Sequence, residues 1–206
     1  MKIGVLGTGS VGSAIASKLV SLGHDVKMGS RSAASDKALA WVASAGPRAT
    51  AGTFADAAAF GEVLFNCTNG NATLEALRAA GAEAIGDKVL VDVANRLPLP
   101  PERGPSLAEE VQQALPHARV VKTLNTVNAQ VMVDPARLPG PHTVLVCGND
   151  AEAKRVVRGL LESFGWQDVV DLGDIKAARE TEGFIGLWLA LAKSLGTYAF
   201  NVQIVR

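Results

Sequence analysis

At 206 residues the chain is long enough to bury a core without disulfides or a structural metal, and its 20 Lys and Arg balance its 20 Asp and Glu. A zero formal net charge offers no global field to nucleic acid or to an anionic membrane, so neither is expected as a partner. A hydrophobic share of 48% against 19% charged excludes a disordered chain.

The first apolar run, residues 3–6, follows Met1-Lys2 directly and leaves no room for a signal peptide. It leads into Gly7-Thr8-Gly9-Ser10-Val11-Gly12 and then a helical stretch, 11–22, that Gly23 stops. A second strand, 26–28, ends in Gly29-Ser30-Arg31-Ser32, with Lys37 on the helix that follows. Further strand-length runs stand at 63–65, 89–93, 120–124 and 143–146, with a weaker one at 168–170. Asn71 is placed to cap a helix that Gly81 ends. Ser106-x-x-Glu109 reads as a capping box for a helix closed by Pro116, and Asp150 as the cap of one stopped by Gly165. Strands alternating with helices over short connections predict an α/β protein of Rossmann type, with a doubly wound, mainly parallel sheet. The strands are continuously apolar rather than alternating, as a sheet covered on both faces requires. Residues 97–104, with Pro98, Pro100 and Pro101, read as a surface connector.

The last helix, roughly 175–200, carries a stripe of Phe184, Leu187, Leu191 and Leu195, widened by Ile185, Trp188, Leu189 and Ala192. So wide an apolar surface needs cover on two sides, which predicts a homodimer. The expected division is a dinucleotide-binding domain at 1–173 and a helical segment at 174–206 serving the dimer or the acceptor site. The apolar run at 184–192 is too short to span a bilayer. Cys67 and Cys147 lack CxxC spacing and read as buried thiols of a reducing compartment, so the expected location is cytoplasmic.

The chemistry begins at residues 7–12. In this GxGxxG, Gly7 permits the tight turn, Gly9 lets the backbone approach a pyrophosphate, and Gly12 lets the helix lie close to the strand. Thr8, Ser10 and Val11 sit where the helix N-terminus offers its N–H groups. Its place between a strand and a helix favours a dinucleotide site over a merely structural turn. The end of the second strand selects the dinucleotide. Asp25 is at the wrong end to reach a ribose, whereas Ser30 and Arg31 can bond a 2′-phosphate, with Lys37 adding charge, so NADP(H) is expected. Polar residues also gather after three later strands: Cys67-Thr68-Asn69, Ala94-Asn95 and Asn125-Thr126-Val127. Together these suit the nicotinamide half and an acceptor. No Tyr-x-x-x-Lys pair, Ser-His-Asp set or metal-spaced His/Cys cluster occurs, and His24, His117 and His142 are scattered. Without an evident proton donor or metal, no catalytic side chain is assigned, and a flavin-like ring is the acceptor that asks least of the protein.

Several of these motifs together resemble the family of coenzyme F420-dependent NADP oxidoreductases, which includes the NADPH-oxidising domain of the STEAP metalloreductases. They are GTGSVG, the GSR of residues 29–31, Lys122 to Val127, Val146 to Asp150 with Ala153-Lys154, and Asp171-Leu172-Gly173 followed by Ala178-Arg179-x-x-Glu182. The resemblance implies hydride transfer between NADPH and F420, FMN or FAD, a Rossmann domain with a small helical part, and a homodimer. It also implies that Thr8, Ser10, Val11, Ser30 and Arg31 bind NADP and that Thr68, Ala94 and Asn95 line the nicotinamide half. Asn125, Thr126 and Val127 would then face the acceptor. Two other readings remain open at this point: an NADP-dependent dehydrogenase of a small carbonyl or imine, and a non-catalytic NADPH sensor. Lys122 and Asn125 loosely echo the catalytic Lys-x-x-x-Asn of such dehydrogenases, one residue short.

Overall fold

The computed structural model describes residues 1–98 and 104–206, so Pro100 and Pro101 of the expected connector lie outside the described residues. The chain begins β1 (Lys2–Leu6), α1 (Ser10–Ser21), β2 (Asp25–Ser30), α2 (Asp36–Ala45), β3 (Ala49–Thr53) and α3 (Phe54–Phe60). It continues through β4 (Val63–Asn66), α4 (Thr73–Ala80), α5 (Ala82–Ile85), β5 (Val89–Asp92), α6 (Leu107–Ala114) and β6 (Arg119–Thr123). The last third is α7 (Ala129–Val133), β7 (Thr143–Gly148), α8 (Ala151–Phe164), β8 (Asp168–Asp171) and α9 (Ala178–Leu195).

The strands form one eight-stranded sheet in the order β3-β2-β1-β4-β5-β6-β7-β8. Pairing is parallel from β3 across to β6; β7 runs antiparallel to β6, and β8 parallel to β7. The winding reverses between β1 and β4, which opens a crevice beyond their carboxyl ends. Alternate residues feed two cores, one on each face. Ile3, Val5, Val89 and Val91 join the core under α1, α2, α7 and α8, while Leu64, Leu90 and Val120 join the one under α3 to α6. This is the α/β architecture expected, including the two covered faces.

Four local expectations change. The sequence Ala-Thr-Ala-Gly-Thr forms edge strand β3, which has no apolar run to announce it. The alanine-rich α3 follows at once, started by a Thr53–Asp56 capping box. This helix explains two glycines: a Cβ at Gly4 would stand 2.3 Å from the Ala57 carbonyl oxygen, and one at Gly29 would stand 2.8 Å from the Ala57 Cβ. The cap assigned to Asn71 belongs to Asn69, whose side chain accepts from the Asn71 N–H and opens a 3₁₀ turn before α4. The Asn71 amide instead donates to the Leu97 carbonyl at 2.8 Å. Finally, α9 ends at Leu195, with Gly196 left-handed, rather than near 200. Among the described residues no helix is long and apolar enough to cross a membrane.

Candidate functional site

Two adjoining cavities open along the carboxyl edge of the parallel strands. The first, of about 540 Å³, runs from the glycine turn over the end of β2 to the outer side of α4. Gly7 turns with φ +121°, and a Cβ there would lie 2.6 Å from the Cys67 carbonyl oxygen. At Gly12 a Cβ would lie 2.1 Å from the Gly7 carbonyl oxygen, so this glycine lets α1 press onto the turn. Gly9 differs: a Cβ there meets nothing within 4 Å, so the fold itself places no atom at that position. No side chain caps α1, and no acidic residue stands in its first turn. Open space beside uncapped, positively polarised N–H groups is the environment a pyrophosphate requires.

At the end of β2 the Arg31 side chain is exposed and makes no hydrogen bond among the described residues. Ser30 is buried, and its hydroxyl donates to the Ser32 carbonyl at 2.5 Å, so it shapes the turn that presents Arg31. Arg31, Ser32 and Ser35 face this first cavity, as does Phe54, which offers a flat apolar surface. Lys37 is exposed in the first turn of α2 and lines neither cavity. Asp25 pairs with Arg48 at 2.9 Å, away from this edge.

The second cavity, of about 280 Å³, lies beyond β4, β5 and β6. Cys67 and Thr68 border both cavities. Burial pushes the Cys67 thiol well above its ordinary range, leaving it an apolar wall rather than a nucleophile. The loops after β4 and β5 touch closely; a Cβ at Gly70 would lie 2.3 Å from the Asn95 carbonyl oxygen. Asn95 Nδ2 donates to the Asn125 carbonyl at 2.6 Å, and Asn125 Nδ2 returns a bond to Asn95 Oδ1 at 3.1 Å. The two amides therefore clasp the loops together and each keeps one hydrogen for a ligand. Leu124 precedes this loop in a left-handed conformation, φ 62°, with its side chain fully buried. Val127 and Asn125 face the cavity; Thr126 is buried and does not.

The far wall has no counterpart in the motifs of the sequence. Met132 of α7 and Ile185 and Trp188 of α9 line it. Trp188, one of the residues that widen the apolar stripe of the last helix, borders this cavity and stacks with Tyr198 and Phe200 at 5.6 and 5.4 Å between centroids. The large apolar residues of α9 that remain exposed are Leu187, Leu189 and Leu195. Helical periodicity reveals that α9 has two apolar faces but not which one turns inward.

Behind the cavity lies a buried polar chain. Thr68 Oγ1 donates to Asn66 Oδ1 at 2.6 Å, and Asn66 Nδ2 donates to Asp92 Oδ1 at 2.6 Å. Asp92 Oδ2 accepts from Lys122 Nζ at 2.8 Å, and Lys122 also pairs with Glu182 of α9 at 2.9 Å. Burial alone would push Lys122 down; Asp92 and Glu182 outweigh it and hold the ammonium above the ordinary lysine value. Lys122 is thus held as a charged brace, and its side chain lines neither cavity.

The matched family description is NADP oxidoreductase, coenzyme F420-dependent, over residues 2–96. A crystal structure of a provisionally assigned F420-dependent NADP reductase from Arthrobacter sp. FB24 superposes with a TM-score of 0.94 at 46% identity, covering all of both chains. The chain belongs to the coenzyme F420-dependent NADP oxidoreductase family. It is 30% identical to the metalloreductase STEAP3 of Rattus norvegicus over 97% of its own length and 41% of that protein. It is 34% identical to the F420-dependent NADP reductase of Methanocaldococcus jannaschii over 60% of its own length and 54% of that protein. The chain thus spans about half the length, or less, of these curated relatives.

Proposed function

We infer that this family member binds NADPH across the carboxyl ends of β1, β2, β4 and β5. We further infer that the acceptor in the second cavity is a flavin-type ring: F420, FMN or FAD. The observation that carries the reading is the open position at Gly9, which lines the first cavity beside the uncapped start of α1. Gly7, Thr8, Gly9, Ser10 and Val11 would hold the pyrophosphate, with Gly12 keeping the helix close. Arg31 would take the 2′-phosphate, supported by Ser30 and the neighbouring serines, and Lys37 would add charge at longer range. Cys67, Thr68, Asn69, Ala94 and Asn95 would line the riboses and nicotinamide.

Bound NADPH supplies a hydride. The protein's part is to set two rings face to face and to keep water out, which is enough for a large share of a transfer barrier. The second cavity is suited to this role. Its walls are Val93, Val127, Met132, Ile185 and Trp188, and its polar groups are uncharged amides and hydroxyls. Exposed Leu187, Leu189 and Leu195 on α9 support a homodimer. Two free buried cysteines suit a cytoplasmic enzyme.

The deciding experiment is NADPH oxidation followed at 340 nm with F420, FMN, FAD and a panel of small ketones and imines in parallel. Turnover with a flavin-type ring alone is the expected result. Turnover with only a ketone or imine would move the assignment to a dehydrogenase, and tight NADPH binding without turnover would mark a sensor.

A further inference from the structure

The Lys122 ammonium has three hydrogens and three acceptors: Asp92 Oδ2 at 2.8 Å, the Ala94 carbonyl at 2.5 Å and Glu182 Oε1 at 2.9 Å. These belong to β5, to the loop that borders the second cavity, and to α9. Glu182 is itself fixed from the other side. Its oxygens accept the Leu107 N–H at 2.8 Å and the Ala108 N–H at 3.1 Å, at the start of α6. Three and six residues beyond Glu182 on the same helix stand Ile185 and Trp188, the far wall of the cavity. One saturated cation therefore ties the Ala94–Asn95 edge to the wall opposite it.

Helix docking alone does not call for this arrangement. The helix is already held by Ala178 in the core and by the surface pair Arg179–Glu109 at 2.6 Å, and apolar contacts dock a helix at lower desolvation cost than buried charges. What a three-armed ammonium adds is a fixed separation between elements that are distant in sequence.

We propose that Lys122 and Glu182 are positioning residues for hydride transfer: through the Ala94 carbonyl and α9 they set the gap into which donor and acceptor rings fit. The assignment rests on the proposed placement of NADPH and its acceptor. Misplacing reacting groups by about 1 Å costs up to about a hundredfold in rate, so loosening this tie acts on turnover before it acts on nucleotide affinity.

The variant to make is Glu182→Gln, which keeps the side-chain shape but turns an N–H toward groups that donate. Arg179→Ala, which weakens α9 docking without touching Lys122, is the control. At saturating NADPH, with FMN and F420 as probes, Glu182→Gln is expected to lower kcat at least about tenfold. It should raise the primary isotope effect from 4-deuterated NADPH and leave the NADPH Kd within about twofold. Arg179→Ala should stay within about twofold of wild type in kcat, because it leaves the Lys122–Glu182 tie intact. Equal losses in the two variants, or a matching loss of NADPH affinity in Glu182→Gln, would overturn the proposal.

A second arm needs no turnover. In the NADP⁺ complex, hydrogen exchange should quicken together at residues 92–96 and 178–190 in Glu182→Gln, but only at 178–190 in Arg179→Ala. Faster exchange in α9 with residues 92–96 unchanged would also overturn it. If the wild type reduces neither FMN nor F420, the acceptor assignment falls while this exchange result still decides the role of Lys122.

Discussion

The two cavities share a border at Cys67 and Thr68 but are made in different ways. The nucleotide-side cavity is built around a turn of glycines, an uncapped helix end and one exposed arginine within residues 7–31, and is closed by Phe54 and α4. The acceptor-side cavity is shaped by side chains from α1, from the loops after β4, β5 and β6, and from α7 and α9, brought together over more than a hundred residues. Backbone shape tolerates almost no substitution at a few positions. A wall of side chains tolerates many substitutions but needs long-range bracing.

The sharpest way to break the contrast is at the glycines. Gly9→Val should abolish NADPH binding by calorimetry while the melting temperature stays within about 2 °C, because the new side chain enters space the fold leaves open. Gly12→Ala should instead lower the melting temperature by several degrees, since its Cβ would meet backbone 2.1 Å away and overpacking costs about 1–3 kcal/mol or more. A stable Gly12→Ala that binds NADPH normally would refute the geometry.

Arg31→Ala comes next. Losing a charge-assisted contact worth about 1.5–3 kcal/mol should weaken NADPH roughly ten- to a hundredfold and leave NADH unchanged. Equal losses for both nucleotides would remove the 2′-phosphate from this position. On the acceptor side, the proposed homodimer predicts that Leu187→Glu with Leu195→Glu shifts the elution volume to that of a monomer without affecting NADPH Kd. An unchanged elution volume would leave that face of α9 without a partner copy.

The smallest effect expected is acid sensitivity. The Arg179 guanidinium bonded to Glu109, with help from the Ser106 N–H, holds the Glu109 carboxyl at about 2 against an ordinary 4.5. A depressed carboxyl stabilises the fold above its unfolded value and loses that contribution as pH falls toward the folded one. Melting temperatures taken from pH 5 down to pH 2 should therefore fall less steeply in Glu109→Gln than in wild type.

The same contrast explains what is legible in the chain without its structure. The glycine turn, the helix stops at Gly81 and Gly165 and the Ser106–Glu109 box are short-range signals, each complete within a few residues, and they appear where expected. Arg31 is legible for the same reason. Strand β3 is not, because an edge strand needs no apolar run, and Asn71 passes for the cap because Asn69 makes the same turn two residues earlier. The link from Lys122 to Glu182 crosses 60 residues and has no local pattern. The place of Trp188 in the cavity wall is not legible, because a helix with two apolar faces does not reveal which one its own fold will use.

Leu124 holds the left-handed turn after β6 with its own side chain buried, and the Val127 N–H closes the turn on the Leu124 carbonyl at 3.0 Å. Strain of this kind persists only where the surroundings enforce it, and here they lie beneath the sheet edge rather than in the cavity. Of the residues that follow, Asn125 clasps the loop after β5 and Val127 packs in the core, so neither can be exchanged without disturbing the cavity wall. A side chain exchanged in this loop therefore has to keep both the clasp and the core contact, whatever ring the cavity takes.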